Sequence, residues 1–188
     1  MRGQWSRIAE AEDSAGGGGT ARTLMAWNRR STELAGRGAR VEVSDIDRAP
    51  ELTRFDTVVL GSAIHHRDLL PQAADYIRNH QHELVARDVW LFSVGLGPAL
   101  RGPVGAYFGR LVPKKIAALR DSIRPRDYRP FAGHYERIGV DFGARVMYRV
   151  LGGQRDGDLR DWVVIRGWVA TIASTMGLPN PRSTTIHP

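Results

Sequence analysis

The chain contains no cysteine, which excludes disulfides, thiolate metal sites and cysteine nucleophiles. It has no apolar run near the ~20 residues that a membrane-spanning helix requires. Its start lacks the apolar core of a signal peptide, so a cytoplasmic protein is the expectation. The six histidines are scattered, without an HExxH or comparable ligand spacing, and no metal site is expected. There is no internal repeat. The net charge of +7 comes without a helix-turn-helix, zinc-finger or aromatic RNA-binding pattern, so no nucleic-acid partner is expected. Basic residues are adjacent only at Arg29-Arg30 and Lys114-Lys115. That distribution reads as solvated surface, with an anionic lipid or an acidic ligand as the alternative.

What remains is a chain of 188 residues, long enough for one well-cored domain and short for two. Its most informative stretch is FDTVVLGSAIHHR, residues 55–67. Residues 57–60 are an unbroken β-branched and apolar run, too short for an ordinary helix and without polar alternation. That pattern fits a strand buried on both faces, as in parallel sheets. Gly61 and Ser62 follow, small residues that let something approach the backbone closely, and then Ala63, Ile64 and two histidines. In open α/β sheets ligands sit outside the carboxyl ends of the strands, so this exit is the first candidate binding edge.

The rest of the chain extends the pattern. Residues 4–12 are expected as a short helix, and 14–20 (SAGGGGT) as a flexible or turn-forming run. Leu24, Trp27, Leu34 and Ala35 recur at helical spacing until Gly36 and Gly38 stop the helix. A short strand is expected at 40–43, and a helix opened by Pro71 runs to about residue 85 with Ala74, Ile77, Leu84 and Val85 inward. A second buried strand, 89–94 (VWLFSV), is closed by Gly95, Leu96 and Gly97. Strand, helix and strand thus alternate at about 30-residue spacing, the mark of right-handed parallel crossovers. A Gly/Pro-containing loop at 98–112 precedes a short basic helix at 113–120. A last strand at 128–133 carries Pro130, which places it at a sheet edge. Two helices close the chain: 138–151, and 161–176 with Asp161 as N-cap.

Four pieces, FDTVVLGSAIHH, YIRNHQHELVARDVWLFSVGL, FAGHY and GDLRDWVVIRGWVATIA, occur in this order over most of the chain. In them the chain resembles the flavodoxin-like family, and within it the proteins similar to menaquinone-dependent protoporphyrinogen IX dehydrogenase. The resemblance implies a three-layer α/β/α sandwich whose parallel sheet has the order 2-1-3-4-5. It implies one domain at 20–176 between a loose leader at 1–19 and a loose tail at 177–188. It also implies FMN at the carboxyl edge, its ring embraced by a loop holding Ser62, Ala63, Ile64, His65 and His66 and another holding Ser93, Val94, Gly95, Leu96 and Gly97. His65 or His66 stacks on the ring or bonds its polar edge, or else both are solvated loop residues.

The front departs from the family, because no clear apolar strand precedes the first helix. One register puts the phosphate loop near 17–23, with Thr20 and Thr23 supplying hydroxyls. The other makes residues 23–27 the first strand, which leaves too few residues for a parallel crossover. Either way the central strand is expected to be damaged or absent, and an altered start or reading frame in the gene is one explanation. The implied function is oxidation of a reduced tetrapyrrole, or another small redox substrate, through FMN to a quinone or redox partner, as in heme biosynthesis. Arg101, Arg110, Lys114 and Lys115 in the 98–126 insertion suit propionates or an anionic membrane, which implies peripheral contact with the inner face of the cell membrane. Two alternatives stay open: an electron-transfer flavoprotein, which +7 argues against, and a flavodoxin-fold protein that has lost FMN.

Overall fold

The structure is a computed structural model that describes residues 5–11, 34–35, 37–100, 107, 111–135, 146, 148–150 and 157–179; of 5–11 and 134–135 the backbone course alone is described. The first strand, β1, is Trp5–Ala11. It is followed by β2 (Arg40–Asp45), β3 (Thr57–His65) and β4 (Asp68–Leu69). Two helices, α1 (Pro71–Asn79) and α2 (Gln81–Val85), lead to β5 (Asp88–Gly95). Then come α3 (Lys114–Ile123), β6 (Asp127–Ala132), the short strands β7 (His134–Tyr135) and β8 (Gly157–Asp158), and α4 (Trp162–Thr175).

The strands pair in the order β2-β1-β3-β5-β6, all parallel, with β4 folded back antiparallel on the end of β3. Counted as parallel strands alone, this is the expected 2-1-3-4-5. β7 and β8 form a separate antiparallel pair. Pro130 lies in edge strand β6, opposite Ser93, where a missing N–H costs no ladder bond on the open side.

The three layers follow from side-chain alternation on strands buried on both faces. In β3 and β5, Val58, Leu60, Val89 and Leu91 pack with Ile77 of α1, Leu84 of α2 and Ile116 and Ile123 of α3. Their neighbours Val59, Trp90 and Phe92 face the other way, onto Leu34, Phe131 and the α4 residues Trp168, Val169 and Ile172. On that second face Trp168 meets Trp90, Phe92 and Phe131 with ring centroids 6.0, 5.9 and 5.4 Å away. Its indole N–H donates to Asp127 Oδ2 at 2.9 Å, so the one polar atom of the ring is satisfied.

Local signals place the helix starts. Pro71 is at the first turn of α1, and Asp161 caps α4 by accepting from Val163 N and Val164 N at 3.0 and 3.1 Å. The single helix expected at 71–85 is instead two. His80, with φ −111° and ψ 18°, leaves the helical region, and both its N–H and its ring Nδ1 lie 3.0 Å from Tyr76 O. The break turns Val85 outward, at 47% exposure, where the expected helix had it inward.

The front of the chain corrects two expectations. Residues 5–11, within the segment expected as a short helix, are a strand, and the central strand is neither damaged nor absent: β1 occupies that place. It pairs with β2 from Trp5↔Arg40 to Glu10↔Asp45 and with β3 from Ser6↔Thr57 to Ala11↔Ser62. Residues 12–39 lie between β1 and β2, well over the dozen or so that a parallel crossover needs. β1 lies within the segment expected as a loose leader. Residues 12–33, which hold both proposed phosphate-loop registers, lie outside the described residues. So do most of the expected helix at 138–151, of which 146 and 148–150 are helical, and the tail from residue 180.

Candidate functional site

The carboxyl ends of β1, β3 and β5 come out side by side, because Ala11 is in register with Ser62 and Ser62 with Ser93. Chain leaving β1 therefore enters the same edge as chain leaving β3 and β5. Thr20 and Thr23 belong to that departing segment but lie outside the described residues.

The two ring-side segments differ from the expected loops. Ser62, Ala63, Ile64 and His65 remain in β3, which turns only at His66 and Arg67. Ser93, Val94 and Gly95 remain in β5, and only Leu96 and Gly97 begin the loop. The small residues Gly61 and Ser62 also have an internal explanation. A Cβ placed on Gly61 would lie 1.9 Å from Phe92 Cζ, so what approaches that backbone is a ring of the chain's own core. Ser62 Oγ accepts from Leu70 N at 3.0 Å and donates to Ala63 O at 2.9 Å. Ser93 Oγ is 2.6 Å from Tyr128 Oη, and burial pushes the Tyr128 phenol above its ordinary pKa, opposed by that hydrogen bond and by the Arg120 charge. Both serines are buried and hold the strand ends in place; their hydroxyls already have partners.

Above them the edge opens. Ala63, Ile64, Val94, Gly95, Leu96 and Gly97 are half-buried, and His65 and His66 are exposed. Ile64 packs on Gly95: a Cβ there would meet Ile64 side-chain atoms at 3.3 and 3.4 Å. The His65 and His66 rings stand edge to face with centroids 4.1 Å apart. His66 and Arg67 take φ of 48° and 64°, the left-handed values that a two-residue hairpin turn demands and that Asn-Gly usually supplies. Non-glycine residues held there cost of order 1 kcal/mol each and cluster at functional sites. Sequence reasoning missed this hairpin because neither residue is a usual turn former. The tip is tethered to α3, with Lys115 Nζ 3.5 Å from Asp68 Oδ2. Lys115 is 75% exposed in its side chain, so the pair adds little stability. Arg101 and Arg110 lie outside the described residues.

On the ring side the residues present suit a flat cofactor. Ala63, Gly95 and Gly97 are small and half-buried, Ile64 packs over Gly95 as an apolar floor, and two imidazoles stand at the rim. Among the described residues no group of three or more His, Asp or Glu is placed to hold a metal ion, and no helix is long and apolar enough to cross a membrane.

A second concavity lies beyond the β5 loop. A cleft of about 660 Å3 is lined by Leu100, Phe131, Ala132, Arg160, Trp162 and Val164, among others. Its signal in the sequence is DLRDW, where Asp158, Arg160 and Asp161 alternate with Leu159 and precede Trp162.

Comparison with known proteins agrees with the topology. A cysteine-to-serine mutant of flavodoxin from Pseudomonas aeruginosa superposes with a TM-score of 0.52 at 10% identity, over 93% of this chain and 99% of that one. A cysteine-to-alanine mutant of the same flavodoxin gives 0.50, with the same identity and coverage. The rubredoxin oxygen:oxidoreductase of Desulfovibrio gigas gives 0.49 at 12% identity over 93% of this chain, which spans 36% of that protein's length. At such identities the likeness is one of fold. No curated protein matches the chain. The family model described as Flavodoxin domain matches residues 22–158, beginning after β1 and including β2, β3, β5 and β6. Its members are flavin-binding electron-transfer and redox proteins, and FMN is the cofactor the match implies. By that match, the chain belongs to the flavodoxin domain family.

Proposed function

We propose that the chain is an FMN-dependent oxidoreductase that takes reducing equivalents from a reduced tetrapyrrole, or a comparable small substrate, and passes them to a quinone, a step of heme biosynthesis. The observation that carries this reading is the convergence of the β1, β3 and β5 ends on one edge in a chain matched by the flavodoxin domain model. FMN, when bound, supplies the hydride and electron chemistry. The chain's own part is to bind, orient and tune it. Ala63 and Gly97 leave room for a flat ring, and Ile64, packed on Gly95, underlies it. His65 and His66 offer hydrogen bonds to its polar edge from a turn that holds them in one geometry. Thr20 and Thr23 are assigned to the phosphate. The exposed Lys114 and Lys115, on a chain of net charge +7, suit an anionic substrate or the anionic inner face of the cell membrane.

The experiment is direct. The purified protein is examined for flavin absorption and titrated with FMN, and the loaded protein is then given protoporphyrinogen with a menaquinone analogue. Oxidation that requires FMN supports the full reading. A yellow protein that only exchanges electrons with a reductase would be an electron carrier, and a protein that fails to bind added FMN would overturn both redox readings.

A further inference from the structure

The turn that joins β3 to β4 is built against its own sequence. Asn-Gly makes a two-residue hairpin with both φ values positive at little cost, yet His66 and Arg67 hold φ of 48° and 64° there. A side chain is crowded in that conformation, and residues kept in it concentrate where the strain serves a function. The turn is also fixed from below. Ile64 pairs with Leu69 and His65 with Asp68. Leu70 N donates to Ser62 Oγ at 3.0 Å, and Leu69 N to Asp68 Oδ1 at 2.9 Å. Arg67 therefore stands on a rigid stem, at the carboxyl edge to which the flavin is assigned.

The charges around it are unbalanced. His65, His66 and Arg67 are exposed, and so are Lys114 and Lys115 at the start of α3. The carboxylate of the turn, Asp68, is already used by Leu69 N and by Lys115 Nζ, 3.5 Å from its Oδ2. Arg67 has no hydrogen-bond or ion-pair partner among the described residues. At the other end of the sheet, by contrast, Arg126 meets Asp88 at 2.7 Å and Arg129 meets Asp127 at 2.9 Å. The edge is left with an open guanidinium, whose planar fork matches a carboxylate with two parallel hydrogen bonds.

We propose that Arg67, held out by the strained turn, binds a carboxylate of the substrate that the flavin oxidises. The assignment rests on the FMN reading above and adds the group that orients the substrate. Ile64 and Leu96 are half-buried beside the turn, so the substrate it fits has an apolar body and an acidic end. Glycine at position 67 would relieve the backbone and lose the charge. Stability and recognition thus pull in opposite directions at this one residue.

That opposition is the test. Protoporphyrin IX and its dimethyl ester, one ring system with and without carboxylates, are titrated by porphyrin fluorescence into the FMN-loaded protein in one non-ionic detergent. Arg67→Gly should raise Tm by about 2–4 °C, weaken binding of the acid about tenfold and leave binding of the ester unchanged. Arg67→Lys, which keeps the charge without the fork, should fall between parent and glycine variant for the acid. Arg124, the C-cap of α3 with φ 46°, lies at the amino end of β6 and is the control. Arg124→Gly should gain similar stability and leave both porphyrins unaffected. Equal loss for acid and ester, no loss for either, or a loss of acid binding in Arg124→Gly would overturn the proposal. So would weaker FMN binding in Arg67→Gly, which would assign the guanidinium to the cofactor. If the parent oxidises protoporphyrinogen and Arg67→Gly does so with unchanged KM, the turn's role falls and the redox reading stands. Arg67-dependent binding of the acid without any oxidation would do the reverse.

Discussion

Gly61→Ala isolates the contact that gives the sheet its second-face core. A methyl group on Gly61 would lie 1.9 Å from Phe92 Cζ and 2.3 and 2.6 Å from its Cε atoms. Carbon atoms pack at about 3.5–4.0 Å, so the ring would have to retreat by roughly 2 Å. It has nowhere to go: Phe92 is 2% exposed, with Phe131 and Trp168 centroids 6.1 and 5.9 Å away. Overpacking a filled core costs about 1–3 kcal/mol, and the depth of this overlap puts the expected loss near the top, about 3 kcal/mol. For a chain of this size that corresponds to a fall in Tm of roughly 6–12 °C. The assay is urea and thermal unfolding followed by tryptophan fluorescence and circular dichroism. Gly167→Ala is the control of opposite sign. A Cβ there meets nothing within 4 Å, and alanine in a helix should add about 0.8–1.0 kcal/mol. Adding Phe92→Leu to Gly61→Ala should relieve the clash, so the double variant loses less than the sum of the singles. A Gly61→Ala protein within about 0.5 kcal/mol of the parent, with Gly167→Ala behaving as expected, would refute the packing account.

Removing residues 1–11 takes away the strand that pairs with both β2 and β3; we expect no cooperative unfolding transition, and a truncated chain that unfolds cooperatively would refute the central place of β1. Gly95→Leu, with its Cβ against Ile64, should weaken FMN binding at least tenfold by fluorescence titration, and an unchanged Kd would put the ring elsewhere. The Tyr128 phenol is raised by burial above its ordinary value of 10.0. As pH climbs past that value the unfolded chain loses the proton first, so stability falls with rising pH. Tyr128→Phe lacks this loss, so the parent should lose stability relative to the variant from about pH 9 to 11; a difference that stays constant over that range would contradict it.

Much of the fold was written in local patterns. Residues 57–60 and 89–94 announce strands buried on both faces because no polar residue interrupts them, and Asp161 and Pro71 mark helix starts because capping and a preset φ depend on the residue and its nearest neighbours. β1 was not legible. WSRIAEA carries Arg7 and Glu10 where a central strand usually runs apolar, and Trp5 and Ile8 are spaced as on a helix. Its place comes from pairing with two strands that lie far along the chain.

The candidate site divides the same way. That the ends of β3 and β5 carry small residues and histidines was plain from FDTVVLGSAIHHR and FSVGLG, and so was their position at a carboxyl edge once strand, helix and strand were seen to alternate. What those small residues are for was decided only by tertiary contact. Gly61 makes room for Phe92, Ser62 receives Leu70 N, and Ser93 meets Tyr128, leaving the approachable surface one step further out, from Ala63 to the His66–Arg67 turn and from Gly95 to Gly97. Sequence determines which residues can form a strand, a cap or a close approach. Only the packed structure decides what occupies the space they leave, because the occupant comes from residues distant in the chain.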